Sequence, residues 1–237
     1  MLSIKDLSVH VENKEILHDI SIDFDVNKVY AIMGVNGSGK SSLAKTIMGD
    51  PSMMISDGNI LLDQKKINTL SANKRSQKGI FLSPQSPLAI PGVTVGQLLR
   101  AALSRDEMTS KILSQKIKST AKELQIPTEL LTRSLNENFS GGERKKMEVL
   151  QAVILNPKYI ILDEIDTGVD VDALKVIAHF LQKFIKDADK TLILITHYNR
   201  ILSYLPIDEV IVMHDGTISQ KGDSTLAEKI EKEGYAN

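Results

Sequence analysis

One short run constrains this chain more than any other: Gly34-Val35-Asn36-Gly37-Ser38-Gly39-Lys40-Ser41. It fits the pattern G-x-x-x-x-G-K-[ST]. The residues before it, Val29 to Met33, form a nearly continuous apolar run that reads as a buried strand feeding a loop. The residues after it, Ser42 to Met48, read as helix. A loop in this setting suits phosphate. Glycines let backbone amides curl around phosphate oxygens without clashes at Cβ. The helix N-terminus adds partial positive charge. Lys40 is placed to reach the β- and γ-phosphates, and the Ser41 hydroxyl to bind Mg²⁺. Together with Ser42, these residues are expected to bind a nucleotide.

A second site follows the same logic. Tyr159-Ile160-Ile161-Leu162 is an apolar strand ending in two carboxylates, Asp163 and Glu164. A strand buried on both faces delivers its last residues to the sheet edge where ligands bind. Asp163 can hold Mg²⁺ through water, and Glu164 can orient or deprotonate an attacking water. Alone, an acidic pair after a strand reads as the start of a loop. Beside a phosphate loop it reads as catalytic.

The remaining pattern supplies a frame for both sites. Leu2, Ile4, Leu7, Val9 and Val11, then Leu17, Ile20, Ile22 and Phe24, predict antiparallel strands with one wet face. Asp57-Gly58 is expected to open a further strand pair that includes Ile60 to Leu62. From Thr94 to about Gln125 the spacing turns helical, with Thr94 and Gln97 placed as a capping box. Helices are also expected from Glu143 to Leu155 and from about Val171 to Ile185, and strands at Leu192 to Ile195 and Val210 to Met213. Strand–helix–strand alternation predicts an α/β fold with a parallel sheet covered by helices. His18, His179 and His214 lack the spacing of ligands, and Lys74-Arg75 and Arg144-Lys145-Lys146 read as solvated basic faces.

Composition removes several functions. The 237 residues carry 29 Lys and Arg against 30 Asp and Glu, and a net charge of −1 argues against nucleic-acid binding. Cysteine is absent, which excludes disulfides, zinc–thiolate sites and a cysteine nucleophile. The first residues alternate apolar with charged (Lys5, Asp6, Glu12, Lys14, Glu15), so no signal-peptide core is read there. The longest apolar runs, such as Leu192 to Ile195, fall far short of the ~18 residues of a membrane helix. The expectation is a cytoplasmic protein with no direct membrane insertion.

Phe139-Ser140-Gly141-Gly142-Glu143-Arg144 resembles the signature motif of ATP-binding cassette (ABC) ATPases. The other family elements follow in the family's order. Gln85, after Phe81-Leu82-Ser83-Pro84, looks like the Q-loop glutamine. Asp166-Thr167-Gly168-Val169-Asp170 looks like the D-loop, and His197 like the switch histidine. The resemblance covers essentially the whole chain. It implies one ABC domain over 1–237, a RecA-like core with an antiparallel β subdomain (1–85 and 141–237) and an α-helical subdomain (86–140). It implies ATP and Mg²⁺ as ligands, with Ser41, Gln85 and Asp163 at the metal. Glu164, His197 and Lys40 take the catalytic roles, and Asp166 and Asp170 belong to the D-loop. Ser140, Gly141, Gly142 and Glu143 begin a second phosphate-binding helix. One chain cannot easily aim two helix N-termini at one γ-phosphate from opposite sides. The family's answer is a transient, ATP-dependent head-to-tail dimer, with the signature acting in trans.

Within the family, Asp163 to Leu174, Thr196-His197-Tyr198-Asn199-Arg200-Ile201-Leu202, the stretch from Ser83-Pro84-Gln85-Ser86-Pro87 to Thr94 and the ending from Gly222-Asp223 to Glu233-Gly234-Tyr235 look like the SufC ATPases of iron–sulfur cluster assembly. Transporter ATPases usually carry Pro-Thr after the catalytic glutamate, where Ile165-Asp166 stands here. The resemblance implies SufB–SufD-like scaffold proteins as partners. With no cysteine, the cluster must sit on those partners and not on this chain. The alternative is the ATPase subunit of a membrane transporter. Two departures stand out. The position that commonly stacks on adenine aligns with Val11, so modest nucleotide affinity is expected, with the adjacent His10 as a substitute stacking ring. Asp166 crowds Glu164, so a cation such as Arg144 or Lys145 is expected to pair with the acidic cluster.

Overall fold

Apolar stretches of period two and of continuous type build two different sheets here. The computed structural model describes residues 1–83, 85, 87–103, 109–186, 189–197 and 200–235. Pro84, Ser86, Tyr198 and Asn199, quoted in the resemblance, lie outside the described residues. In chain order the elements are β1 (Leu2–Val11), β2 (Lys14–Phe24), β3 (Val29–Met33), α1 (Lys40–Met48), β4 (Met54–Leu62), β5 (Lys65–Lys66), α2 (Ala72–Gln77), β6 (Ile80–Ser83), α3 (Val95–Ala102), α4 (Ser110–Glu123) and α5 (Gly141–Leu155). They continue with β7 (Tyr159–Asp163), α6 (Val171–Lys186), β8 (Thr191–Ile195), β9 (Glu209–His214), β10 (Thr217–Gly222) and α7 (Ser224–Glu233). Two compact units result: residues 1–85, 157–165 and 185–237, and residues 86–156 and 166–184.

In the first unit, the alternating strands pair antiparallel in the order β2-β1-β4-β5. The continuous apolar strands form a second sheet in the order β10-β9-β3-β8-β7-β6, parallel throughout except at the β9–β10 edge. Every residue of β3, β7 and β8 is buried, as strands covered on both faces require. Helix α1 packs against β2 and β4 of one sheet and β6 and β7 of the other. Ile22, Phe24, Tyr30, Leu43, Ile47 and Ile161 belong to the single core cluster that results. Asp57-Gly58 does not open a strand. It lies inside β4, where the β1–β4 register shifts between Lys5 and Ser8. A bulge absorbs the turn-forming pair within the strand.

In the second unit, α3, α4 and α5 pack on one another around Leu99, Leu113, Ile117, Met147 and Leu150. The expected capping box is present: the Gln97 amide donates to Thr94 Oγ1 at 3.3 Å, and the Thr94 amide to Gln97 Oε1 at 2.8 Å. Lys183 Nζ donates to Glu123 at 2.8 Å, tying α6 to α4. The expected insert, 86–140, lies within this unit, which also takes up 141–156 and 166–184.

The basic pairs are not uniformly solvated. Arg75 is 2% exposed and its guanidinium donates to four carbonyls: Thr46 and Ile47 at 2.8 Å, Asn68 at 2.8 Å and Leu70 at 2.9 Å. Thr46 and Ile47 lie in the last turn of α1, whose carbonyls have no partner within the helix. A planar group with five donors satisfies several of them at once. Lys145 is also buried, 3.3 Å from the buried carboxylate of Glu148 one turn on. Lys74 is exposed, and Arg144 and Lys146 are half-buried.

Candidate nucleotide site

The phosphate loop leaves the central strand β3 and enters α1. Gly34 sits at φ +152°, and a Cβ there would lie 2.3 Å from the Met213 carbonyl of β9. Only glycine lets the chain turn this close to the neighbouring strand. The loop is then tied back: the Ser38 amide donates to the Val35 carbonyl at 3.2 Å, and the Gly216 amide to the Ser38 carbonyl at 3.1 Å. Val35, Asn36 and Gly37 are exposed at the tip, while Ser38 and Lys40 are buried and Gly39, Ser41 and Ser42 are half-buried.

Lys40 Nζ donates to the Gly34 and Val35 carbonyls, both at 2.8 Å. The loop thus holds its own lysine across its mouth. Burial pushes the Lys40 pKa below the ordinary lysine value, and Glu164 and Asp163 pull it back. Those carboxylates are therefore within electrostatic reach of the ammonium.

The other site residues arrive on neighbouring strands. Ser83 pairs with Leu162, Asp163 with Ile195, and Ile195 with Ile32. Because these strands are parallel, Gly34, Gln85, Glu164 and His197 all emerge at one sheet edge. Glu164 adopts φ +50°. A non-glycine residue in that region costs about 1 kcal/mol or more and persists where its surroundings hold it. Here the Glu164 amide donates to the Ile195 carbonyl at 2.9 Å. Its carboxylate is flanked on both sides, by Gln85 Nε2 donating to Oε2 at 2.8 Å and by His197 Nδ1 at 3.6 Å from Oε1, beyond hydrogen-bond length. Asp163 is 3% exposed at the end of β7.

The donor set fits Mg²⁺ as a companion of phosphate. Ser41, Gln85 and Asp163 all offer oxygen, which suits a hard cation. Among the described residues no group of three or more His, Cys, Asp or Glu could hold a metal. An ion here needs ligand phosphates to complete its shell.

The second helix start belongs to the second unit. Ser140 and Glu143 form a capping box: the Glu143 amide donates to Ser140 Oγ at 3.3 Å, and the Ser140 amide to Glu143 Oε2 at 2.7 Å. A Cβ on Gly141 would lie 2.5 Å from the Gly168 carbonyl, so the D-loop backbone packs directly on the start of α5. Asp166 is 1% exposed. Asp170 accepts from the Ala173 amide at 2.8 Å at the start of α6, which holds its carboxyl below the ordinary aspartate value.

Two residues reach the site with no role assigned to them by the sequence, His18 and Tyr235. His18 lines a cavity of about 320 Å³ that also touches Gly37, Gly39 and Ser42 of the loop. His10, offered above as a substitute stacking ring, places Nδ1 3.0 Å from Ser56 Oγ. Tyr235 fixes a backbone segment next to the site. Its place in the SufC-like ending gave the only hint of it.

Comparison with known proteins follows this geometry. The family described as ABC transporter matches residues 17–167. A probable ABC transporter ATP-binding protein of Streptococcus pyogenes serotype M18 is 42% identical over 100% of this chain and 94% of its own. Vegetative protein 296 of Bacillus subtilis is 40% identical over 99% of this chain and 91% of its own. The probable ATP-dependent transporter SufC of Escherichia coli is 42% identical over 99% of this chain and 97% of its own. Among solved structures, a bacterial ABC transporter cassette determined as a dimer superposes with a TM-score of 0.81 at 20% identity, covering 94% of this chain and 98% of that one. A nucleotide-free cassette superposes with a TM-score of 0.81 at 24% identity, over 100% and 99% of the two chains.

Proposed function

This chain belongs to the ABC family and is an ATP-hydrolysing cassette of it, and we propose that it is the SufC-type subunit that drives a SufB–SufD-like scaffold for iron–sulfur cluster assembly. The observation that carries the catalytic assignment is the flanking of Glu164 by Gln85 and His197, at the sheet edge that also presents Lys40. ATP phosphates lie against the amides of Gly37 to Ser42 at the start of α1. Lys40 exchanges its two carbonyl partners for β- and γ-phosphate oxygens. Ser41, Gln85 and Asp163 hold Mg²⁺, which when bound neutralises charge on the phosphate oxygens. Gln85 donates to Glu164 through Nε2, and a metal-ligand role uses its other amide atom, Oε1. Glu164, once turned to water, orients it for attack, and His197 contacts the γ-phosphate. Ser140 to Glu143 of a second copy close the site from the other side. Capture of the γ-phosphate by both chains makes dimerisation follow ATP, and Gln85 hands that signal to residues 86–140, where the scaffold docks.

The SufC reading is supported by the chain-long likeness to the Escherichia coli protein of that name and by the D-loop sequence Ile165 to Asp170. The absence of cysteine agrees with a subunit that moves partners and carries no cluster. A second reading, the ATPase subunit of a membrane transporter, is favoured by the names of the Streptococcus relatives. Among the described residues no helix is long and apolar enough to cross a membrane, so either reading needs partner chains. Affinity capture of the tagged chain from its native cells tests the choice. SufB–SufD-like partners are expected, and capture of membrane subunits in their place overturns the assignment.

A further inference from the structure

The C-terminal segment, quoted above only for its likeness to the SufC ending, reaches the site from beyond the residues given catalytic or binding roles. Tyr235 stands two residues beyond α7, with its ring half-buried. It lines a cleft of about 310 Å³ with Met213, His214, Leu226, Ile230 and Gly234. Its hydroxyl donates to the His197 carbonyl at 3.4 Å. Burial raises its pKa above the ordinary tyrosine value, and the Gly34 backbone nearby draws it back. The phenol ties the backbone that carries His197 after β8 to the tail, beside the start of the phosphate loop after β3. The Thr196 amide links the same segment to β3, donating to the Ile32 carbonyl at 3.2 Å. Met213, whose carbonyl presses on Gly34, lines the same cleft as Tyr235, so loop, strand and tail form one contiguous packing unit.

We propose that Tyr235 is a positioning residue for ATP hydrolysis: it ties the backbone of His197 to the tail, whose cleft wall includes the Met213 that presses on Gly34, and so sets where the imidazole meets the γ-phosphate. This rests on the reading of His197 as the γ-phosphate contact. Binding of the α- and β-phosphates uses the loop amides and Lys40, which Tyr235 does not touch. Loss of the hydroxyl therefore acts on turnover and spares ground-state binding.

The test is Tyr235→Phe in the full chain, which keeps the ring and removes the oxygen, with His197→Ala assayed alongside. Steady-state kinetics and thermal unfolding are read for each. Tyr235→Phe is expected to lower kcat roughly threefold to tenfold, the range set by one ordinary hydrogen bond. KM for ATP, ADP affinity and Tm are expected to stay at wild-type values. His197→Ala is expected to abolish turnover. A wild-type kcat in Tyr235→Phe beside an inert His197→Ala overturns the proposal alone. A fall in Tm with KM and kcat changing together also overturns it, since that marks simple anchoring of the tail, and Tyr235→Ala would then only deepen the same loss. Normal hydrolysis by His197→Ala overturns the reading of the site and the proposal with it.

Discussion

Two helices in this chain start in glycine-rich turns, and their first turns are built in opposite ways. Helix α1 begins after Gly39 with no side-chain cap and no acidic residue in its first turn. Helix α5 begins at Ser140 with a complete capping box, and Glu143 stands in its first turn. Uncapped amides and an uncompensated dipole make α1 ready for an anion. In α5 the Glu143 amide is already satisfied by Ser140, and the Glu143 carboxylate stands in the first turn, so a phosphate there meets a partly capped, partly compensated helix start. On the proposed function the difference implies an order: α1 of one chain takes nucleotide first, α5 of another chain joins when both chains press on the same γ-phosphate, and hydrolysis waits for two copies while binding needs one.

The comparison breaks most visibly at Lys40. Lys40→Ala is expected to lower kcat/KM for ATP by about a hundredfold or more, because phosphate loses its only buried cation in the loop. Nucleotide titration of the isolated chain is expected to show the same loss, since α1 acts before any partner. Ser140→Ala is the counterpart. It is expected to lower hydrolysis about tenfold or more and to cost about 1 kcal/mol of stability through the lost cap, with nucleotide affinity of the isolated chain within twofold of wild type. Equal losses of binding in both variants would erase the distinction between the helices.

The far ends of the two helices differ as well. Helix α5 ends on Asn156 in the left-handed region, whose amide donates to the Ala152 carbonyl at 3.1 Å. Helix α1 ends under the buried guanidinium of Arg75. Arg75→Ala leaves several buried carbonyls without a donor and is expected to cost about 3 kcal/mol, read by denaturant unfolding. Lys74→Ala, one residue away and exposed, is expected to fall within about 0.5 kcal/mol of wild type.

The smallest effect concerns the packing beneath α5. Asp170 is held below the ordinary aspartate value by the Ala173 amide. The unfolded chain therefore binds that proton more readily than the folded one. The stabilisation is complete above the unfolded value near pH 4 and is lost as pH falls through the lower folded value. Asp170→Asn cannot titrate, so its unfolding midpoint is expected to fall less steeply than wild type below about pH 4.

How much of this was legible beforehand depended on the kind of signal. The phosphate loop, the acidic pair and the strands β3, β7 and β8 stood out because continuous apolar runs and glycine spacing are local. The capping box at Thr94 and Gln97 was local too. By contrast, Asp57-Gly58 looked like a turn and became a bulge, because pairing with β1 overrides the local preference. The short α2 and β6 and the polar β10 carry little periodicity, and their existence follows from the sheet. Arg75 looked like half of a solvated doublet. Its burial is set by the carbonyl end of α1, 29 residues earlier, which no local pattern reports. His18 and Tyr235 reach the site through β-sheet register and the return of the tail, which are tertiary facts. The flanking of Glu164 is likewise invisible in sequence: three strands must align before Gln85 and His197 stand on either side of one carboxylate.

The central claim is that α1 binds ATP within one chain and α5 serves the site of a second. Glu164→Gln slows hydrolysis and so preserves the ATP-bound state. Size-exclusion chromatography with light scattering, run with ATP and Mg²⁺, then compares Glu164→Gln with the double variant Glu164→Gln/Ser140→Ala, with bound nucleotide quantified in each peak. The single variant is expected to elute as a dimer carrying ATP, and the double variant as a monomer that still carries ATP. A double variant that dimerises as fully as the single one, or one that has lost ATP as well, contradicts the account.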